Sequence, residues 1–566
     1  MATEITSSDL IPIETSFRLK AGPGAGKTYW LINHVHNVLN NSMRLNGLGK
    51  IACLTYSNVG VDTITERLGY SARVEVSTLH SFLYTNIIKP YFYLIADDEG
   101  FNLDLFSGII DDYVLDNYPT CKAVSEHCEQ PIQFALWSKY LKSLKWKIVD
   151  KKISCSSTQP IIKGKTNKNG KKYGDVYASN SVGLFYKKLA WAQGILNYDD
   201  VNYFALKLII KYRWITKILA ISFPYIFIDE FQDTNPLQAI ILQTIGKNPE
   251  TRIGIIGDTA QSIYKFQGAS PTIFNGFKVP NLIELEIKNN RRSLAPIVKF
   301  LNMLRKDLRQ TSIRTDVGVP VRFLIGDKKD AFSYIEKQDI DCLMLSYANV
   351  DTNSLRYQFC EKRGIVKTEK LDNIEDSNLE RKKLVSYLIQ AIENGRNGKF
   401  RYAFAQIERA GISEEQSLLV LRDLISISDI DQMSLKDFVD RLIKEGVNVA
   451  PVTKGNCLAY YQLHKYGEFA QDVKIEDDKS EQRTIHKAKG DEATNVLVTT
   501  GKGFSPETLL DYNLISNESH RVYYVAMSRA RDRLFIQFPS LTTEMEKFFR
   551  EKWNIEIIRL KVDECQ

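Results

Sequence analysis

Ala21-Gly-Pro-Gly-Ala-Gly-Lys27-Thr28 is the stretch that decides the fold. It follows a short apolar strand, Phe17 to Lys20, and opens a run with helical spacing from about Lys27 to Asn40. A loop built from Ala21, Gly22, Pro23, Gly24, Ala25 and Gly26 cradles phosphates with its backbone N–H groups, while Lys27 reaches the terminal phosphates and the Thr28 hydroxyl is available to Mg²⁺. Alone, such a loop fits kinases, GTPases, transporters and many ATPases. About two hundred residues later, Phe227-Ile-Asp229-Glu230-Phe-Gln-Asp233-Thr places one carboxylate to hold the metal and a second beside it to activate water. Together the two runs imply a machine driven by ATP.

Working outward, Ile51-Ala-Cys-Leu-Thr-Tyr56 reads as a buried strand and Asn58 to Leu68 as the following helix. Strands are also expected at Tyr225–Asp229 and Ile253–Gly257, with a helix from about Pro236 to Ile245 between them. Apolar strands alternating with helices mean a parallel sheet covered on both faces, and ligands bind such sheets at the carboxyl ends of strands. Lys27, Asp229 and Asp258 all follow strands, so they can converge. Residues 89–190 break the rhythm and read as an inserted subdomain, aromatic and helical at first, then basic and turn-rich. A second α/β lobe is expected from near Leu282, with strands at Leu282–Glu286, Val321–Ile325, Asp341–Tyr347, Thr494–Thr500 and Arg533–Phe538. The expected division is 1–88 with 191–281, then 282–350 with 476–566, and a small helical insertion over 351–475.

At 566 residues the chain exceeds one core. Its 44% hydrophobic and 25% charged content is ordinary for a globular protein. No run of eighteen or more apolar residues occurs, and Met1 to Leu10 lacks a signal-peptide profile. Eight cysteines without a C-x-x-C pair argue against a disulfide framework or a zinc site. A cytoplasmic protein with no membrane partner is expected. The net charge of +7 is concentrated: Lys142 to Lys172 holds ten lysines against one acid, Asp150, with Trp146 and Tyr173 interleaved. That stretch is either a solvated loop or a polyanion contact.

Further runs occur in order: Thr55-Tyr56-Ser57-Asn58, Thr78-Leu-His80-Ser-Phe82, Gly257-Asp258-Thr-Ala-Gln261-Ser-Ile-Tyr264-Lys-Phe266-Gln-Gly268-Ala, Asn290-Arg-Arg292-Ser293, Thr484-Ile-His486-Lys-Ala-Lys489-Gly490-Asp-Glu492 and Tyr524-Val-Ala-Met-Ser528-Arg529-Ala530. With the phosphate loop and Asp229-Glu230 they resemble the motif series of the UvrD/Rep family of superfamily 1 helicases, over roughly residues 17–87, 195–300 and 480–538. The resemblance implies an α/β protein of two RecA-like P-loop lobes, each with an inserted subdomain, moving 3′ to 5′ on single-stranded or tailed DNA. It implies ATP as substrate with Mg²⁺ held by Thr28 and Asp229. Glu230 would polarise the attacking water and Gln261 would sense or position the γ-phosphate. Arg292 and Arg529 would reach across the cleft to the same phosphate, and Glu492 would contact nucleotide or its surroundings. Tyr56, Tyr264 and Phe266 would stack on bases, while Asn58, His80 and His486 would contact the strand or relay its presence.

Four departures stand out. No adenine-reading Gln element is recognisable in Met1 to Lys20, and the adenine-stacking tyrosine is Arg291 here. Either Arg291 stacks by cation–π, or several NTPs are accepted. Gln267 stands where Arg is frequent. The insertion in the second lobe is short for a duplex-engaging subdomain. This compact layout, with Arg67-Leu-Gly-Tyr70 ending the helix after Asn58, resembles the helicase-like subunit of the Gabija anti-phage system, whose partner is a separate OLD-like nuclease. The alternative reading is therefore a DNA-sensing ATPase that regulates a nuclease without processive unwinding.

Overall fold

The computed structural model describes residues 2–45, 47–109, 114–149, 152–162, 164–166, 172–265, 268–357, 367–475 and 480–560. The chain forms two compact units, Met1–Asn290 and Arg291–Gln566.

Unit 1 is built on a seven-stranded sheet. Its strands are β1 (Thr3–Glu4), β2 (Ser16–Ala21), β3 (Ile51–Thr55), β4 (Val74–Thr78) and, beyond a ribbon of β5 (Lys145–Val149) and β6 (Lys152–Ser156), β7 (Tyr225–Ile228), β8 (Arg252–Gly257) and β9 (Leu282–Ile287). The order across the sheet is β1-β9-β2-β8-β7-β3-β4, with every neighbouring pair parallel. The central strands are apolar without interruption because both faces are covered. Ile226 and Ile228 face one core, and Tyr225 and Phe227 face the other. Helix α1 (Lys27–Asn41) packs Trp30 edge-on to Phe17, ring centroids 5.0 Å apart. His34 stacks on the same indole at 5.1 Å and 9°. Helix α2 (Asn58–Leu68) starts where Ser57 Oγ accepts the Gly60 N–H.

The strand Leu282–Ile287 corrects an expectation. It does not open the second lobe: it pairs with β2 from Leu282↔Ser16 to Ile287↔Ala21 and so completes the first sheet. The division falls after Asn290. The reason is topological. An apolar strand after a helix reads the same for either sheet, and only the open edge of β2 decides which one it joins.

Among its described residues, the segment between β4 and β7 has no core of its own. One buried cluster runs from Ala52 and Leu54 through Phe92, Trp137 and Trp191 to Ile228 and Phe277. Within it, β5 and β6 pair antiparallel with Lys147 opposite Ser154 and Ile148 opposite Ile153. The two-residue period sends Trp146, Ile148, Ile153 and Cys155 toward the core and Lys145, Lys147 and Lys152 outward. Trp146, read from the sequence as an aromatic among lysines, is therefore a core residue. It is 6% exposed and stacks on Tyr203 at 4.1 Å. Asp150, Lys151, Lys163, Lys168 and Lys171 lie outside the described residues.

Beneath that ribbon, helices α3 (Asn180–Trp191) and α4 (Tyr198–Lys211) meet at Asp200. Its Oδ1 accepts Lys187 Nζ and Trp146 Nε1, each at 2.7 Å, and its Oδ2 accepts Trp191 Nε1 and the Asn197 N–H, each at 3.2 Å. A buried carboxylate costs several kcal/mol unless it is paired and hydrogen-bonded, and here both conditions hold.

Unit 2 carries a six-stranded sheet of β10 (Arg322–Ile325), β11 (Leu343–Ser346), β12 (Gln482–Thr484), β13 (Ala493–Val498), β14 (Ala530–Phe538) and β15 (Glu556–Arg559). The order is β12-β11-β13-β14-β10-β15, again all parallel. Between β11 and β12, helices including Leu379–Arg396, Phe400–Arg409, Glu414–Ile425 and Leu435–Lys444 form a small insertion. This one does have its own core, around Leu388, Ile392, Leu424, Phe438 and Tyr466.

Candidate functional site

Parallel strands point their carboxyl ends the same way, so the residues following β2, β8, β7, β3 and β4 form one surface in that order. After β2 comes the loop, with Gly24 at φ 68° and Gly26 at φ 81°. These left-handed angles suit glycine and turn the first-turn N–H groups of α1 outward. Gly26 caps α1 with no side-chain bond to its N–H groups, which is the arrangement of an anion site. Asn290 Nδ2, fully buried, donates to the Pro23 carbonyl at 3.0 Å and fixes the loop from behind.

After β7 come Asp229 and Glu230. Asp229 is buried; its Oδ2 accepts the Thr28 hydroxyl at 3.0 Å and its Oδ1 the Glu230 N–H at 2.9 Å. Burial pushes the Asp229 carboxyl above the usual carboxylate range, and the neighbouring Glu230 charge adds to this against the pull of Lys27. Glu230 has φ 55°, rare for a residue with a side chain and typical of strained functional turns. Lys27 Nζ stands 3.7 Å from Glu230 Oε1. A divalent cation fits this donor set. Thr28 would offer it a hydroxyl and Asp229 a carboxylate oxygen, the two standing 3.0 Å apart, and the cation would offset the adjoining Asp229 and Glu230 charges. No group of three or more His, Cys, Asp or Glu arranged for a metal occurs among the described residues.

After β8 the chain turns through Asp258, whose Oδ2 accepts Gln261 Nε2 at 2.7 Å, and continues to Tyr264. Tyr264 stacks on Tyr56, which follows β3, with centroids 5.1 Å apart and planes at 25°. Both rings are partly exposed, and Asn58 is exposed beside them. Phe266 and Gln267 lie outside the described residues. His80, after β4, is too buried to be a surface contact, which leaves the relay alternative of the expectation untouched. It is 6% exposed, with its ring 3.2 Å from that of Tyr198 and parallel within 10°. Neither ring nitrogen has a hydrogen-bond partner, and burial pushes the imidazole down to about 3. The exposed aromatic at this position is Tyr198, which the sequence reading missed. Its one cue was the Asn197-x-x-Asp200 capping box that starts α4.

Unit 2 gathers a second set. Glu492 and Arg529 immediately precede β13 and β14, which pair Ala493 with Ala530. Arg292 Nε donates to Glu492 Oε2 at 2.7 Å and its Nη1 to the Ser528 carbonyl at 3.1 Å. Arg529 is 2% exposed; it donates to the Val525 carbonyl at 3.0 Å, the Asp491 carbonyl at 3.2 Å and Ser528 Oγ at 2.9 Å. Partial burial pushes the Glu492 carboxyl up, but Arg292, Arg531 and Arg529 hold it below the usual range. His486, in the same unit, stands edge-on to Tyr347 at 6.4 Å.

The UvrD/REP helicase N-terminal domain matches residues 4–280, and the UvrD-like helicase C-terminal domain matches residues 456–540. The two matches cover more than half of the chain. It belongs to the UvrD/Rep helicase family. Its two units are accordingly the RecA-like lobes of a UvrD/Rep protein. It is similar to the Gabija protein GajB of Bacillus cereus strain HuB5-5, 27% identical over 56% of this chain and 51% of that protein. It is similar also to the ATP-dependent DNA helicase Rep of Buchnera aphidicola subsp. Schizaphis graminum, 26% identical over 65% of this chain and 56% of Rep. These two alignments span about half the length of the relatives. A third, with GajB of strain VD045, is 23% identical over 91% of each chain. No helix among the described residues is long and apolar enough to cross a membrane.

Proposed function

We propose that the chain is an ATP-driven motor of the UvrD/Rep type that moves 3′ to 5′ on single-stranded DNA and opens tailed duplexes. The observation that carries this is the continuity of one surface: Lys27, Thr28, Asp229 and Glu230 sit beside a stacked, partly exposed Tyr56–Tyr264 pair. A phosphate switch without nucleic acid has no use for that pair. Stacking is worth roughly 1–3 kcal/mol per base and tolerates any sequence, which suits a motor.

In this reading Lys27 and the loop N–H groups hold the β- and γ-phosphates, and Glu230 accepts the proton of the attacking water. Gln261 orients the γ-phosphate. Thr28 and Asp229 would hold Mg²⁺, which when bound supplies neutralisation of the phosphate oxygens. Arg292 and Arg529 serve the transition state as arginine fingers, a contribution on the order of 10³–10⁵ in rate. Both are engaged by acceptors within unit 2, so serving the nucleotide requires exchanging those partners. Asn58 and His486 contact the strand, and His80 supports Tyr198 from below. Hydrolysis removes the group both sets of charges bind, and the difference in affinity between nucleotide states drives movement.

A second reading is favoured by the end-to-end similarity to GajB. Here the chain is a DNA-sensing ATPase that regulates an OLD-like nuclease in a cytoplasmic anti-phage system. Purified chain, ATP and a 3′-tailed duplex separate the two. Strand release supports the motor; ATPase stimulation without strand release, altered by an added nuclease partner, supports the sensor. ATPase indifferent to DNA refutes both.

A further inference from the structure

Gln232 is 1% exposed and has no part in the reading above. Its Nε2 donates to Glu230 Oε2. Its Oε1 accepts the Asp258 N–H at 2.9 Å, and its carbonyl accepts the Ser262 hydroxyl at 2.9 Å. Asp258 is itself braced by Gln261 Nε2 at 2.7 Å and the Ala260 N–H at 3.1 Å. The amide has little slack, since a Cβ on Gly257 would lie 2.6 Å from Gln232 Oε1. The loop that begins at Asp258 ends at Tyr264, whose ring carries the stack on Tyr56. One residue thus bonds Glu230 on one side and, on the other, Asp258 and Ser262 of the loop that presents the aromatic platform.

Both oxygens of Glu230 face donors here: Gln232 Nε2 on Oε2, and Lys27 Nζ 3.7 Å from Oε1. A carboxylate so engaged has fewer lone pairs left to meet an attacking water than one facing solvent. We propose that Gln232 is a positioning residue that holds Glu230 idle, and that a nucleobase stacking on the Tyr56–Tyr264 pair releases it by shifting the Asp258–Tyr264 loop. The mechanism needs only that the stacked base bind one loop position better than the other. It rests on the proposed motor or sensor reading and specifies how DNA raises turnover in either. Withdrawal of the Asp258 N–H removes the anchor of the amide, the amide turns, and the base is free to meet water.

The test uses full-length Gln232→Met, which keeps side-chain length and loses both amide contacts, assayed for ATP turnover with and without oligo-dT. DNA-free kcat is expected to rise and the ratio of DNA-stimulated to basal kcat to fall by roughly tenfold, the scale of one hydrogen bond to a charged group. The KM for ATP stays at the wild-type value. Ser262→Ala, which removes only the hydroxyl strut, should lower the ratio in the same direction by less. A wild-type ratio in Gln232→Met overturns the proposal, as does a raised KM with equal loss of turnover in both conditions. If Gln232→Met fails to bind nucleotide, Ser262→Ala decides, and a wild-type ratio there overturns it. A wild-type chain that DNA does not stimulate refutes the proposed function itself, and this inference with it.

Discussion

Two buried aspartates of unit 1, Asp200 and Asp229, have opposite surroundings. Asp200 meets a lysine, two indole N–H groups and a backbone N–H, and so its charge is answered within the fold. Asp229 meets a hydroxyl and a backbone N–H, and burial with the Glu230 charge pushes its carboxyl up against the pull of Lys27. The first arrangement is finished and holds the lysine ribbon on the lobe. The second is left undercompensated, since burial and the Glu230 charge outweigh the pull of Lys27. Burial alone does not distinguish the two acids; the completeness of their compensation does.

The hardest test of that contrast is at the undercompensated site. Glu230→Gln should keep ATP binding, measured with a fluorescent nucleotide, and lower DNA-stimulated turnover by about 10²–10⁴-fold, the range for a positioned base. Normal turnover would return Glu230 to a structural role. Next comes a matched pair. Asp200→Asn leaves Lys187 buried and unanswered and should cost about 3–5 kcal/mol in urea denaturation. Asp229→Asn should leave stability unchanged or raise it by about 1 kcal/mol, because it removes an undercompensated charge, while abolishing turnover. Equal destabilisation by both would erase the distinction.

Acid titration sharpens it further, because two buried groups act with opposite sign. The folded Asp229 carboxyl is raised above its ordinary 3.8, so between those values the folded form binds more protons and stability falls as pH rises. His34 is lowered from 6.5 to about 4 by burial, so over that span the unfolded form binds more protons and stability is lost as pH falls. The shift corresponds to a loss on the order of 3 kcal/mol. His34→Phe, measured by urea denaturation at several pH values, should flatten the decline below pH 6.5; an unchanged decline would assign it to other groups. The smallest effect concerns the ribbon over Asp200. Replacing Lys145, Lys147 and Lys152 with Gln should weaken single-stranded DNA binding and reduce the slope of log K against log salt by about 2. An unchanged slope makes that region wholly structural.

The helices Asn58–Leu68 and Pro236–Ile245 were legible as drawn, and the strand drawn to Tyr56 ends one residue sooner at Thr55, because periodicity and turn residues act within a window of a few residues. The convergence of Lys27, Asp229 and Asp258 was legible too, since residues that follow parallel strands must share one edge. Trp146 was misread: the two-residue alternation of its strand was visible, but which face meets the core depends on Tyr203 and Asp200, more than fifty residues away in sequence. For His80 the sequence left strand contact and relay both open, and only the fold shows that Tyr198 covers its ring. Gln232 lay in plain view within a quoted motif, yet nothing local reveals that its amide bridges Glu230 and Asp258.

The order of glycines, carboxylates and arginines along the chain by itself determined a phosphate-binding α/β protein of the UvrD/Rep series, because that chemistry needs fixed residue types at fixed spacings. Tertiary structure alone decided that Leu282–Ile287 closes the first sheet, that one insertion shares its lobe's core while the other has its own, and which buried acid is answered. Those outcomes turn on partners far apart in sequence, where a strand edge or a lone pair is satisfied by whichever group the folded chain brings to it.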